Sequence, residues 1–120
     1  MSERAVIVSK DTAEHYGWGA RCDGWILASG EDLLIIQERM PAGTAEVRHY
    51  HRRAKQFFFV LSGRLTMEAD GDVFEISAQQ GIEIRKDVPH QARNDSDQEV
   101  VFLVVSAPTS RGDRVEAPGP

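Results

Sequence analysis

Three of the four histidines in this 120-residue chain stand where they could share a metal ion. His49 and His51 lie two residues apart in AEVRHYH, where apolar and polar residues alternate as in a β-strand. Because side chains two apart in a strand point to the same face, both imidazoles project to one side. Neutral imidazole is a preferred ligand of Zn, Fe, Ni and Cu, so this pair predicts half of a metal site.

Two further side chains can complete such a site. Gln56 begins the next β-prone run, and its carbonyl oxygen can reach the ion from the neighbouring strand. His90 follows Val88-Pro89, and the proline fixes the direction in which the chain enters the HQARN strand. The alternative is a group of interior histidines that only hydrogen-bond, with Gln56 as an amide lining the pocket.

Short β-prone runs separated by Gly, Pro, Asp and Asn account for most of the chain. Asp70-Gly71 separates two of these runs and favours a two-residue hairpin turn, because Gly tolerates a positive φ. Helical periodicity is weak everywhere, and only residues 10–16 could form one helical turn. The pattern therefore predicts an all-β antiparallel sandwich or barrel. The expected strands lie at 5–8, 25–28, 33–40, 45–51, 57–61, 65–69, 72–76, 82–85 and 100–105, with one more starting at His90.

The spacing of residues 43–63 resembles the first motif of the cupin superfamily, G-x5-H-x-H-x(3,4)-E-x6-G, with Gln56 in place of the glutamate. Residues 79–94 resemble the second motif, G-x5-P-x-G-x2-H-x3-N, through His90 and Asn94. The resemblance implies a small single-domain cupin of the cupin 2 type, a double-stranded β-helix or jelly-roll barrel. It also implies that one divalent metal ion is bound by His49, His51, Gln56 and His90.

The second motif departs from the family pattern at three positions. Gln79, Arg85 and Asp87 stand where the family has Gly, Pro and Gly. We therefore expect a loop over 85–89 that differs in shape and is more charged than usual.

The expected organisation is one domain, because 120 residues leave no room for a second core. Residues 1–24 would form an N-terminal strand or arm packing on the barrel or on a partner. Residues 25–107 would form the barrel. Residues 108–120 are polar and rich in Pro and Gly, so we expect a tail that is loose or lies over the barrel or a partner subunit.

The replacement of glutamate by Gln56 has an electrostatic consequence. Three neutral imidazoles and a neutral amide leave the full +2 charge of the ion, which would polarise a bound oxygen strongly. This favours Lewis-acid or proton-transfer chemistry, of the isomerase, cyclase or lyase type, on a small oxygen-rich molecule. The metal is expected to be Zn, Ni, Mn or Fe.

Two other functions stay open: a non-catalytic module that binds or senses a small ligand, and an iron-dependent dioxygenase. A charged residue inside the barrel beside the metal would favour an enzyme, whereas a purely apolar lining would favour binding. Glu83 is a weak candidate for the general base.

Candidates for the substrate pocket come from strand periodicity. Phe58 shares the face of Gln56, so it should point inward, while Phe57 and Phe59 should point outward. Exposed aromatic surface of this kind favours a homodimer formed sheet to sheet, although the N-terminal strand of the same chain could cover it instead. Other pocket candidates are Gln37 and Arg39, which share a face, and Trp25, for which a core position is an alternative. Arg39 could bind a carboxylate or enolate, or form a surface ion pair.

Composition excludes several function classes. The formal net charge of −5 lacks the dense basic face that nonspecific nucleic-acid binding needs. Cys22 is the only cysteine, which rules out an internal disulfide and a cysteine zinc site. The apolar runs are far shorter than a membrane span of about 20 residues, and no signal peptide is recognisable, so we expect a cytoplasmic protein. The sequon at 94–96 and the Arg-Gly-Asp tripeptide at 111–113 are interpreted as chance matches.

Overall fold

The computed structural model describes residues 4–119, which form eleven β-strands and no helix. This confirms the predicted all-β fold. In chain order the strands are β1 (Glu14–Trp18), β2 (Cys22–Ser29), β3 (Leu34–Met40), β4 (His49–His51), β5 (Lys55–Ser62), β6 (Arg64–Ala69), β7 (Asp72–Ser77), β8 (Gly81–Ile84), β9 (His90–Arg93), β10 (Val100–Ala107) and β11 (Arg114–Glu116). Within residues 4–119, no helix is long and apolar enough to cross a membrane.

The strands form two antiparallel sheets that pack face to face. The larger sheet has the order β1-β2-β3-β10-β5-β8, and the smaller sheet has the order β11-β4-β9-β6-β7. Consecutive strands such as β4 and β5 belong to different sheets, so the chain passes from one sheet to the other as in a double-stranded β-helix. The predicted fold class is therefore confirmed.

Alternation along each strand decides which side chains fill the space between the sheets. On β5, Phe58 and Val60 are buried, whereas Phe57 is 41% exposed. On β10, Phe102 and Val104 are buried and their neighbours are only half-buried. The strand period of two thus places one apolar row inside the barrel and leaves a second apolar row on the outer face of the larger sheet.

The hairpin predicted at Asp70-Gly71 joins β6 to β7. Ala69 pairs with Asp72, and φ is +52° at Asp70 and +92° at Gly71. Positive φ at both central residues is the turn geometry that matches the twist of two antiparallel strands.

The ends of the chain correct three expectations. Residues 5–8 are not a strand, and Val6 and Ile7 are 81% and 96% exposed. Residues 14–18, part of which was considered for a helical turn, form β1, which pairs with β2. Since β2 begins at Cys22, the boundary expected between 24 and 25 falls inside a strand.

The C-terminal segment lies over the barrel, one of the alternatives expected for it, and is not loose over residues 114–116. These residues form β11 and pair with β4, with Arg114 opposite His51 and Glu116 opposite His49. The preceding Asp113 is buried. The segment therefore lies along the barrel beside the strand that carries two of the histidines.

Candidate metal site

The three histidines meet at one end of the space between the sheets. His49 and His51 come from β4 and His90 from β9, where His49 and His90 are directly opposite in the strand register. One ring nitrogen from each residue can be chosen so that all three lie within 4.8 Å of one another. All three side chains are buried. The i, i+2 spacing and the cross-strand pairing therefore produce a group that could hold a metal ion.

A hydrogen bond at Nδ1 sets the orientation of each ring. The Nδ1–H groups of His49 and His90 donate to the carbonyl oxygens of Val47 at 2.8 Å and Val88 at 2.9 Å. Since a carbonyl oxygen only accepts, Nδ1 carries the proton and Nε2 keeps its lone pair. Both rings are thus fixed in the tautomer that binds a metal through Nε2.

Burial keeps two of the imidazoles neutral. It lowers the pKa of His49 to about 3 and that of His90 to about 4, because a positive charge is poorly solvated between the sheets. Both rings therefore have a free lone pair at neutral pH without having to lose a proton first.

His51 is held by Asp113, a residue that the sequence did not single out as functional. His51 Nδ1 lies 2.7 Å from Asp113 Oδ1, and Asp113 Oδ2 accepts from the backbone N–H groups of Arg53 at 3.0 Å and Ala54 at 2.9 Å. Burial raises the pKa of Asp113, but these hydrogen bonds outweigh burial and hold the pKa below its usual value. A carboxylate behind a ligating imidazole is the arrangement that orients histidines at metal centres.

Gln56 lies at the same end of the barrel, on β5, and is 6% exposed. Its Nε2 donates to Ser106 Oγ at 3.0 Å, which leaves Oε1 as the free acceptor. Gln56 Oε1 and His90 Nε2 are the two buried side-chain atoms of the described chain that lack a hydrogen-bond partner. Unpaired buried acceptors are costly, and each of these atoms has a lone pair of the kind that binds a cation, so their chemistry fits a metal ion.

A cavity of about 520 Å³ opens onto these residues, with His49, His51 and Gln56 among its lining. Its apolar walls include Ile36 and Phe58, so the pocket candidate Phe58 lies where it was expected. A cavity of this size suits a small organic molecule.

Three other pocket candidates are placed differently. Because β3 alternates, Ile36 and Glu38 face the cavity, while Gln37 and Arg39 lie on the opposite face and are not part of its lining. The Arg39 guanidinium instead donates to Asp23 at 2.7 Å and to Glu99 at 3.1 Å. The surface ion pair, one of the two alternatives for Arg39, is the one observed.

Trp25 is likewise neither in the cavity nor in the core. It is half-buried, its ring centroid lies 5.4 Å from that of His15, and the ammonium group of Lys10 lies 5.4 Å from the ring centroid. Glu83 is exposed on β8, opposite Phe57, and is not a group of the cavity. Neither residue can act on a molecule bound beside the histidines.

The cavity is lined by three carboxyl groups that the sequence did not reveal: the exposed Glu14, and Glu38 and Glu46. Glu38 and Glu46 both line it, and burial raises the pKa of Glu38 to about 7 and that of Glu46 to about 8. Glu38 Oε2 accepts a hydrogen bond from Tyr16 Oη at 3.2 Å, and Glu46 Oε2 accepts one from the Ala92 N–H at 2.8 Å. The lining is therefore not purely apolar.

Fold and site together define a class: a small double-stranded β-helix with three buried histidines that could hold a metal ion. Residues 36–106, more than half of the chain, match the family model of the cupin domain. The chain belongs to the cupin family, as the spacing of its first motif indicated.

One curated relative and several solved structures are similar to the chain. The polyketide synthase CurC of Streptomyces cyaneus is 35% identical over 69 residues, which is 58% of this chain and 45% of that protein. KdgF from Halomonas is 16% identical with a TM-score of 0.81, over 90% of this chain and 97% of the other. A sugar phosphate isomerase from Silicibacter pomeroyi is 21% identical with a TM-score of 0.74, over 87% and 76%. At these identities the two structures show the fold alone.

Proposed function

We propose that this cupin is a metal-dependent enzyme that carries out Lewis-acid and proton-transfer chemistry on a small oxygen-rich molecule, as an isomerase, cyclase or lyase. In this proposal His49, His51, Gln56 and His90 hold one divalent ion of Zn, Ni, Mn or Fe. The observation that carries the proposal is the pair of buried, unpartnered acceptors, His90 Nε2 and Gln56 Oε1. Both are lone-pair donors at the end of the cavity where the other imidazoles meet.

The charge of the ligand set supports this chemistry. Three imidazoles and one amide are neutral, so a bound divalent ion would keep its full +2 charge and would polarise a substrate oxygen. A neutral set also stabilises a ferric state less than an anionic set would. This argues against an iron-dependent dioxygenase. We therefore expect the ferrous-loaded protein to take up no oxygen when it is offered phenols, thiols and diketones.

Glu38 favours an enzyme over a binding module. A carboxyl group whose pKa lies near 7 can both donate and accept a proton at neutral pH, which is what a general acid or base requires. Glu38 Oε2 is held by the Tyr16 hydroxyl, while no hydrogen bond within residues 4–119 reaches its Oε1. In this role, Oε1 is the atom that takes a proton from the substrate or returns one.

Elemental analysis of freshly purified protein, together with a Gln56→Ala variant, tests the metal site. We expect one equivalent of metal in the unaltered protein and a clearly lower content in Gln56→Ala. Gln98→Ala is the matched control, because Gln98 is exposed and lies outside the cavity. Unchanged metal content in Gln56→Ala would mean that Gln56 is not a ligand, and the argument from a neutral ligand set would lapse.

We also propose that two copies of the chain pair through the outer face of the larger sheet. The rings of Phe57 and Phe59 stack there with centroids 6.4 Å apart, and Leu103 and Val105 are their cross-strand neighbours on the same face. This face is apolar without being part of the core, which is typical of a subunit interface. In sedimentation velocity we expect Phe57→Ser to dissociate the dimer, whereas Phe74→Ser, which alters an exposed phenylalanine of the other sheet, should not. A monomeric wild-type protein would contradict the proposal.

A cytoplasmic location is part of the same proposal. It is supported by the single cysteine, Cys22, which is free and buried as expected in a reducing compartment. Cell fractionation tests this location.

A further inference from the structure

The cavity that opens onto the histidines is also lined by two arginines from the C-terminal segment, Arg111 and Arg114. Arg114 belongs to β11, which lies beside the histidine strand β4, and it also lines a second cavity of about 320 Å³ together with Tyr16 and Trp18. Both arginines are exposed side chains at a cavity mouth. Arg39 was considered for a role in substrate binding but lies outside the cavity, whereas these two arginines line it.

Neither guanidinium has an anionic partner in the described chain. Arg114 donates one hydrogen bond, to the carbonyl oxygen of Val47 at 3.3 Å, and no carboxylate within residues 4–119 lies within 4.0 Å of it. The Arg111 side chain forms no hydrogen bond or ion pair with residues 4–119. Asp113, which stands between them in the sequence, is directed to His51. Two arginines that line the cavity thus have no ion-pair partner in the described chain.

Three carboxyl groups share the cavity lining: Glu14, Glu38 and Glu46. None of them lies within 4.0 Å of the Arg111 or Arg114 guanidinium. Glu38 instead accepts a hydrogen bond from the Tyr16 hydroxyl, and Glu46 accepts one from the Ala92 N–H. A metal ion held by the histidines would add to the positive potential of the two arginines.

We propose that the cavity binds a small organic anion, such as a carboxylate or an enolate, through Arg114 and Arg111, with the apolar part of the molecule against Ile36 and Phe58. Guanidinium groups suit this ligand class because they present paired N–H donors to two oxygens at once. The proposal deepens the proposed function by naming the substrate class. It rests on that function only for the view that this cavity is the substrate site.

Binding of 4-fluorobenzoate and of its neutral analogue 4-fluorobenzamide, followed by ¹⁹F NMR on the metal-free full chain, tests the proposal. The two probes share shape and apolar area and differ in charge. We expect the benzoate to bind about tenfold more tightly, the advantage of a charge-assisted hydrogen bond. Arg114→Gln should remove most of this preference and Arg111→Gln part of it. Arg52→Gln is the control, since Arg52 is an exposed arginine outside both cavities, and it should leave the preference unchanged.

Equal binding of the two probes, failure of both to bind, or a preference that survives in the Arg111→Gln/Arg114→Gln double variant would overturn the anion proposal. Circular dichroism of each variant checks that the fold is retained. Because metal is absent from this experiment, its result is independent of the metal analysis of Gln56→Ala. If the protein prefers the anion but never binds metal, the anion proposal stands and the proposed metal-dependent function is wrong.

Discussion

Tyr16 of β1 and Gly24 of β2 are direct cross-strand neighbours, and the tyrosine ring occupies the space that a side chain at position 24 would need. A Cβ atom on Gly24 would overlap Tyr16 Cζ. Gly24 is in turn paired with Glu38 of β3. The glycine thus allows Tyr16 to reach across one strand and donate its hydrogen bond to Glu38.

Gly24→Ala is therefore expected to displace the Tyr16 ring and break its hydrogen bond to Glu38. Since this bond lowers the pKa of Glu38, its loss should raise that pKa further above its usual value. Carboxyl-detected ¹³C NMR titration of the metal-free protein measures the change, and Tyr16→Phe should produce the same shift. Gly17→Ala is the control, because its nearest new contact would be 3.8 Å away. An unchanged titration in Gly24→Ala would contradict the proposed positioning.

Asp113→Asn should weaken metal binding by roughly 10- to 100-fold, as loss of a carboxylate behind a metal-binding histidine does elsewhere. The asparagine oxygen can still accept from the N–H groups of Arg53 and Ala54, but its NH₂ group would then face His51 Nδ1. That contact favours a proton on Nε2, the nitrogen that the metal needs. Competition with a chelator measures the dissociation constant, and Asp97→Asn, at an exposed site, is the control. Equal affinity in the two variants would rule out the orienting role.

Arg48 and Glu68 form an ion pair that should matter for stability. Arg48 Nε and Nη2 donate to the two carboxylate oxygens at 2.7 and 3.0 Å, and Nη1 donates to the Ala117 carbonyl oxygen at 3.1 Å. The side chains are only 14% and 12% exposed. Arg48→Ala should lower the free energy of unfolding by about 3 kcal/mol in urea denaturation, because it leaves a largely buried carboxylate without its cation and with the Gly71 N–H as its remaining donor. Arg64→Ala, which breaks a pair whose members are 52% and 51% exposed, should cost less than about 1 kcal/mol. A similar loss of unfolding free energy in Arg48→Ala and Arg64→Ala would contradict this distinction between a largely buried and an exposed ion pair.

The metal-free protein should lose stability between pH 6.5 and 8. The pKa of Glu46 is raised by burial to about 8 from about 4.5, so its contribution is present below pH 4.5 and is lost as the pH rises through 8. His49 and His90, whose pKa values are lowered from 6.5, act in the opposite direction but only below pH 6.5. Between pH 6.5 and 8, Glu46 should lower the free energy of unfolding by about 2 kcal/mol, at about 1.4 kcal/mol per pH unit.

Glu46→Gln should remove this part of the decline, because the amide oxygen can still accept from the Ala92 N–H without ionising. Chemical denaturation at pH 6.5, 7.25 and 8 gives the slope. Glu31→Gln, which alters an exposed carboxylate, should reproduce the wild-type decline. A decline in Glu46→Gln as steep as that of the wild type would assign the effect to other groups.

Strand alternation and turn residues were enough to predict most of the fold. The strands β2 to β10 correspond closely to apolar or alternating runs, and Asp70-Gly71 forms the expected hairpin. β1 and β11 were missed because each is short and largely polar, and each exists through pairing at a sheet edge. The run at 5–8 was wrongly predicted as a strand, because composition alone cannot show whether a neighbouring edge is present.

The histidine group could be predicted because the spacing of His49 and His51 is local and the first cupin motif, which contains both, is specific in its spacing. The supporting groups could not, since the hydrogen bond from His51 to Asp113 joins residues 62 apart in sequence. In LLIIQERM both faces contain apolar residues, so the sequence did not distinguish Glu38, which faces inward, from Gln37 and Arg39, which face outward.

Two departures from the second motif lie at positions where φ is positive. Gln79 and Asp87 replace the family's glycines, yet φ is +67° and +66° at these positions, in the left-handed region that glycine favours. The loop over 85–89 therefore has a left-handed residue at position 87. There the Asp87 N–H donates to the His51 carbonyl oxygen at 2.7 Å.

Asp113 joins the C-terminal segment to the ring of His51, in addition to the pairing of β11 with β4. If the histidines bind a metal ion, the docking of this segment and the affinity for the ion would be thermodynamically coupled. Detachment of residues 113–116 would free the His51 ring to rotate, and a bound ion would in turn hold the segment in place. Proteolytic cleavage just before Asp113 would then lower the affinity for the metal ion, and a bound metal ion would slow that cleavage.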